Sequence, residues 1–133
     1  MKEEIAKIWM EALKGDKYIQ GRMYLRTTAS RSIFAPARHC VMGVLCDLYQ
    51  RNNPSDQLVA TVDERIKGLF VTNYDGCISD TLPPKVIAWA GLSTGDGSYI
   101  SSYNRRLSLS RLNDGGTGFD NLAASIERNW RDM

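Results

Sequence analysis

Hydrophobic positions recur along this chain at helical spacing in some segments and in short β-prone runs in others, and one stretch fits neither pattern. Ile5, Ile8, Trp9, Ala12 and Leu13 fall three and four apart, the interval at which side chains share one helix face. Glu3 and Glu4 suit the positive end of such a helix, Lys14 its negative end, and Gly15 a stop, which predicts a helix over 3–14. The run from Cys40 to Cys46 carries no charge at all. A helix that is apolar round its whole circumference is buried on every side. This stretch, extended to about 37–51, is therefore expected to be a central helix against which the amphipathic ones pack. Asp16–Pro36 is less regular, and Asn52–Asp56 reads as an exposed loop. Leu58–Val62 and Leu69–Thr72 are β-prone, and the turn signal Asp75-Gly76 would pair Leu69–Asn73 with Cys77–Ser79.

The second half is better punctuated. Leu82-Pro83-Pro84 opens a short helix with Val86, Trp89 and Ala90 on its apolar side and Gly91 at its end. Ser93–Ser98 reads as a flexible polar loop. A helix around Arg105–Leu112 carries Leu109 and Leu112 inward and is broken by Asn113-Asp114-Gly115-Gly116. Thr117 is expected to cap the last helix, with Asp120 in a variant capping box and Phe119, Leu122, Ala123, Ile126 and Trp130 as its stripe. The resulting fold class is α+β: one helix-rich domain over 1–133, packed around helix 37–51, with a small antiparallel hairpin or sheet of two or three strands at about 58–80.

Composition narrows the function classes. A 133-residue chain that is 43% hydrophobic and 24% charged suits a soluble globular domain, and no segment approaches the roughly 20 apolar residues of a membrane span. The charged start Met1-Lys2-Glu3-Glu4-Ile5 is unlike a secretion leader, so a cytoplasmic location is expected and no membrane partner. Cys40 and Cys46 would lie on different faces of one helix, and Cys77 stands alone. His39 is the one histidine, and there is no C-x-x-C pair. Neither a metal site nor a cofactor is assigned.

The net charge of +2 conceals an uneven distribution: between Lys14 and Gly43, Lys14, Lys17, Arg22, Arg26, Arg31 and Arg38 face the single acid Asp16. Tyr18, Tyr24 and Phe34 sit among them. Guanidinium groups grip phosphate oxygens at two points, and aromatic faces stack on bases. Arg22, Arg26 or Arg38 with Tyr24 or Tyr18 is thus a candidate anion or nucleotide site; the competing reading is a solvated loop face, with some arginines paired to acids within 44–98. Asn113 and Asp114, beside glycines that permit close backbone approach, could add polar contacts, although Asn and Asp also serve turns by bonding their own main chain. His39–Cys40 is a thin basis for nucleophilic catalysis, and Asp120 and Glu127 read as cap and surface, so no catalytic residue is assigned.

Four pieces together resemble a family of small proteins encoded by bacteriophages and prophages. They are Trp9-x-x-Ala12-Leu13-x-Gly15-x-x-Tyr18-x-Gln20-Gly21; Gly43-Val44-Leu45-Cys46-Asp47-Leu48; Leu82-Pro83-x-x-Val86-x-x-Trp89-x-Gly91-Leu92; and Leu112-Asn113-Asp114-x-Gly116-x-x-Phe119-x-x-Leu122-Ala123-x-x-Ile126-Glu127. In that family the cysteine helix often opens on an aromatic–Cys pair, where this chain has Arg38-His39-Cys40. The resemblance implies a viral accessory protein in a bacterial host cytoplasm. The expected function is non-enzymatic: binding a host bacterial protein or a small anionic nucleotide signal to counter host defence, with a homo-oligomer as a plausible form. The alternatives are a small nucleotide-processing enzyme and, less favoured, a helix-turn-helix protein. Duplex nucleic acid is disfavoured because Asp120 and Glu127 stand beside Arg128 on the last helix.

Overall fold

A computed structural model describes residues 1–32, 34–77 and 79–133. The chain runs α1 (Glu3–Lys14), β1 (Ile19–Gln20), β2 (Arg26–Thr28), β3 (Ala37–His39), α2 (Val41–Asn52), β4 (Ala60–Ile66), β5 (Leu69–Tyr74), α3 (Pro84–Ala90), β6 (Ser98–Ile100), β7 (Arg106–Ser108), α4 (Leu109–Asp114) and α5 (Phe119–Asn129), then a 3-10 turn at Trp130–Asp132. The class is α+β. Helix α1 spans the expected residues and buries Ile5, Ala6, Trp9 and Leu13. It packs against α2 and α5, and the Trp9 indole Nε1 donates to the Val41 carbonyl at 3.0 Å.

Helix α2 is the central post. Val41, Met42, Val44, Leu45 and Cys46 are each 0% exposed. No polar face is left for water over its first two turns, so its stability comes from burial rather than from helix propensity. It starts later than 37, however. Ala37–His39 are strand, and Cys40 is the N-cap, its Sγ accepting from the Gly43 amide at 3.4 Å. Arg38 and His39 have backbone partners in both β1 and β2, and these hold the segment extended.

The sheet is larger than two or three strands. Five strands run in the order β1-β3-β2-β5-β4, with β1 parallel to β3 and the other pairs antiparallel. The hairpin is β4–β5, closed through Lys67-Gly68 with Gly68 at φ +83. Asp75-Gly76 does turn, but it closes a single bridge between Tyr74 and Cys77. The expected pairing on to Ser79 runs through Ile78, which lies outside the described residues. The irregular basic segment supplies three of the five strands. Its strands are two or three residues long, too short for a period-2 pattern to register.

Two other expectations change. Arg106–Ser108 form strand β7, paired with β6, and α4 begins only at Leu109, capped by Ser108, whose Oγ accepts from Arg111 N. Thr117 does not cap α5. The N-cap is Gly118, and the Phe119 amide donates instead to Gln20 Oε1 at 3.1 Å, far away in sequence. Helix α3 ends as expected: Gly91 takes φ +70 and the Leu92 amide donates back to the Ile87 carbonyl at 3.0 Å. No helix among the described residues is long and apolar enough to cross a membrane.

Gly43 marks the tightest contact in the core. A Cβ built on it would lie 1.7 Å from the Leu25 carbonyl oxygen and 2.6 Å from the Leu25 carbonyl carbon. The first turn of α2 therefore lies directly on the backbone that leads into β2, and a methyl group has nowhere to go. Gly43→Ala is expected to destabilise the protein by more than about 3 kcal/mol in chemical denaturation. A cost below about 1 kcal/mol would show that this contact is not close-packed.

Candidate functional site

The residues singled out from sequence do not gather round one opening. Asn113, on the last turn of α4, is 0% exposed. Its Oδ1 accepts from Gln20 Nε2 at 2.9 Å and from the Val41 amide at 3.1 Å, while its Nδ2 donates to the Gly21 carbonyl at 2.9 Å. Asp114 Oδ1 accepts from the Met23 amide at 2.7 Å, where Met23 stands at φ +69. Both side chains thus brace the Gln20–Met23 corner and the start of α2, and their polar atoms are spent on the fold. The Asp114 carboxyl also neighbours that of Asp80. Burial and this like-charged neighbour hold Asp80 above the usual carboxylate range.

The arginines of the basic segment separate. Arg26 lies opposite His39 and Thr72, whereas Arg38 lies opposite Thr27. Successive strand residues alternate faces, so Arg26 and Arg38 point to opposite sides of the sheet. Arg26 Nη1 donates to Thr72 Oγ1 at 3.2 Å and lines a cavity of about 270 Å³ with Arg31, Gln50 and Tyr74. The Arg22 guanidinium lies over Gly116. Tyr24 is half-buried and lines none of the cavities described here.

On the Arg26 side of the sheet, α2 brings polar groups to the strands. Tyr18 donates to Asp47 Oδ2, which also accepts from Arg51 Nε at 2.7 Å. Burial would raise Asp47, but the hydrogen bonds from Arg51 and Tyr18 outweigh it and hold the carboxyl below its usual range. His39 packs edge-on to Tyr18, ring centroids 5.3 Å apart, and its Nδ1 is buried without a partner among the described residues. Burial pushes His39 down to about 4, with Asp47 opposing and Arg26 adding to the effect, while burial pushes the Cys40 thiol up to about 12. A thiolate nucleophile beside an imidazolium needs the reverse of both shifts.

A larger opening, about 590 Å³, lies between the β6–β7 hairpin and α4. Arg105 ends the hairpin turn, Arg106 starts β7, and Arg111 projects from α4; Asp96 and Ser108 line the same cavity, with Leu107 and Leu112 as its apolar wall. Two hydrogen bonds fix the frame: Ser108 Oγ donates to the Asp96 carbonyl at 3.1 Å and accepts from Arg111 N at 3.3 Å. Burial would raise the Asp96 carboxyl, but hydrogen bonds, led by those from Ser98 and Thr94, keep it below its usual range and ionised. None of the three arginines is ion-paired among the described residues. The volume falls within the range of small-molecule sites, roughly 300–1,000 Å³.

One continuous helix over Arg105–Leu112, the expectation from sequence, would not bring these three arginines together. The available signal was the Ser101-Ser102-Tyr103-Asn104 turn between Ser98–Ile100 and Arg106–Ser108, with Asn104 at φ +56. A hairpin followed at once by a helix folds the arginine doublet back towards Arg111. Among the described residues, no group of three or more His, Cys, Asp and Glu is placed to hold a metal ion.

The model of a domain of unknown function, DUF8296, matches residues 1–130. The chain belongs to that family. No curated protein and no solved structure matches it. The DUF8296 match covers both the Asn113 brace and the arginine cavity, so both lie within the family's domain.

Two outcomes follow from the buried polar groups. Asn113→Ala would strand the Val41 amide and the Gly21 carbonyl and remove one of the partners of the Gln20 side chain, and should cost about 3 kcal/mol or more in urea unfolding. An Ala variant within about 0.5 kcal/mol of the parent would refute the brace. His39 is neutral when folded down to pH about 4, whereas its ordinary value is 6.5. Its contribution is therefore whole above pH 6.5 and is lost as pH falls toward 4, because the unfolded chain takes up the proton first. The raised Asp80 acts in the opposite direction. The difference between the parent and His39→Gln isolates the histidine and should change by up to about 3 kcal/mol between pH 7 and pH 4. A difference that does not vary with pH would show that His39 is solvated in the folded state.

Proposed function

We propose that this DUF8296 protein is a non-enzymatic binding protein for a compact phosphate-bearing anion, held by Arg105, Arg106 and Arg111. The observation that carries this reading is three guanidinium groups around one cavity with no ion-paired carboxylate among the described residues. Unpaired arginines cost little while they stay hydrated, and they gain strongly when a phosphate supplies matched acceptors in place of water. Leu107 and Leu112 give the ligand an apolar flank, which separates this site from a bare salt-binding surface. Asp96 is ionised but already occupied by Ser98, so it orients the frame and is a poor proton acceptor for chemistry.

The wider role we propose is that of a phage or prophage accessory protein in a bacterial cytoplasm, capturing an anionic nucleotide signal of the host and so blunting its defence. The viral resemblance of the four sequence pieces and the arginine cavity support that reading. Seating a host protein's acidic segment on the same arginines is the version that remains if no nucleotide binds.

Calorimetry against pyrophosphate and a panel of linear and cyclic nucleotides tests the site. Arg111→Ala is expected to weaken binding roughly ten- to a hundredfold, as loss of a charge-assisted contact does. Arg22→Ala and Arg38→Ala should leave affinity within about twofold, and raising the salt concentration should weaken binding steadily. If the Arg22 or Arg38 variant loses binding while Arg111→Ala keeps it, the cavity assignment fails.

A further inference from the structure

A smaller cavity of about 190 Å³ adjoins the arginine cavity, and Ser98 and Arg106 line both. Its other walls are Ser93, Thr94, Tyr99, Ile100 and Asp132. The two cavities differ in chemistry. The larger one offers three guanidinium groups, and its carboxylate, Asp96, is already taken up by Ser98. The smaller one offers a carboxylate, hydroxyls and an apolar rim, with Ile100 51% exposed.

The wall that carries Asp132 is held in place. The Ser93 amide and the Ser93 hydroxyl both donate to the Met133 carbonyl, at 2.7 and 2.6 Å. Thr94 Oγ1 accepts from the Ser98 amide at 2.9 Å and its hydroxyl serves the Asp96 carboxylate, which fixes this wall as well. Asp132 is exposed and forms no ion pair among the described residues. A carboxylate at this point repels a further phosphate, so the second cavity does not suit a longer polyphosphate. It does suit the part of a ligand that donates hydrogen bonds, since an ionised carboxylate can only accept them.

We propose that the two cavities form one bipartite nucleotide site. The phosphates sit on Arg105, Arg106 and Arg111, the ribose hydroxyls donate to Asp132, and the base rests on the Ile100 rim. Arg106 stands at the junction, where the phosphate joins the sugar. The assignment rests on the anion-binding reading of the larger cavity and adds to it the ligand class and the residue that selects it.

The test compares pyrophosphate with ADP, GDP, UDP and CDP by calorimetry, on the parent, Asp132→Ala and Arg111→Ala. At least one nucleoside diphosphate should bind tenfold or more tighter than pyrophosphate. Asp132→Ala should remove that surplus and leave pyrophosphate binding within twofold or slightly tighter. The 2′,3′-dideoxy form of the preferred nucleotide should behave towards the parent as the ordinary nucleotide does towards Asp132→Ala. Arg111→Ala should weaken every ligand. Asp132 is exposed, and an unchanged thermal melt would confirm that its variant is folded. Two results overturn the bipartite site while leaving the anion site standing: no nucleotide exceeding pyrophosphate, or a surplus that survives Asp132→Ala. Absence of binding by pyrophosphate and all four nucleotides would overturn both.

Discussion

The fold depends on one buried amide. Asn113 uses both ends of its side chain on backbone and side-chain partners drawn from two distant parts of the chain, the Gln20-Gly21 corner and the start of α2. Its oxygen meets the Val41 amide, one of the donors that the first turn of α2 cannot satisfy internally. Its nitrogen meets the Gly21 carbonyl, and its Gln20 partner in turn caps α5 through the Phe119 amide. Helices α2, α4 and α5 and the corner after β1 are thereby referred to a single side chain. A purely apolar core would hold these elements together but would leave their register free, because burial is non-directional. Hydrogen bonds from one rigid amide set it.

Around that brace, apolar packing does the larger share of the work. The first turns of α2 are enclosed by α1, α3, α4 and the sheet, and Gly43 lets its backbone lie on the strand side at Leu25. The close approach explains why a glycine is tolerated inside a helix that otherwise holds large side chains, despite its conformational cost. Further along the helix the requirement changes. Asp47 is needed to receive Tyr18 and Arg51, and His39 is accommodated without its charge. The sheet face beneath α2 is accordingly part polar and part apolar, which suits structure more than chemistry.

Charge illustrates how far linear order can mislead. The basic segment from Lys14 to Gly43 is dense along the chain, yet its strands turn Arg26 and Arg38 to opposite faces and spend Arg26 on Thr72. Arg105, Arg106 and Arg111 are unremarkable in sequence, but the hairpin-to-helix bend brings them to one cavity. What matters to an anion is guanidinium density in space, and secondary structure redistributes it with a period of two on strands and 3.6 on helices.

By itself, the sequence determined the elements whose information is local. The spacing of Ile5, Trp9 and Leu13, the charge-free run after Cys40, the Pro83-Pro84 start and Gly91 stop, and the stripe Phe119–Ile126 each identify a helix from its own residues, because amphipathic period and end chemistry need no distant partner. The α+β class and the central buried helix follow from these. Tertiary structure alone decided the three short strands of the basic segment, the exchange of Thr117 for Gln20 as the cap of α5, the inward role of Asn113 and the gathering of the three arginines. Each of these depends on a partner many residues away, so no window of neighbouring residues contains the energy that selects it.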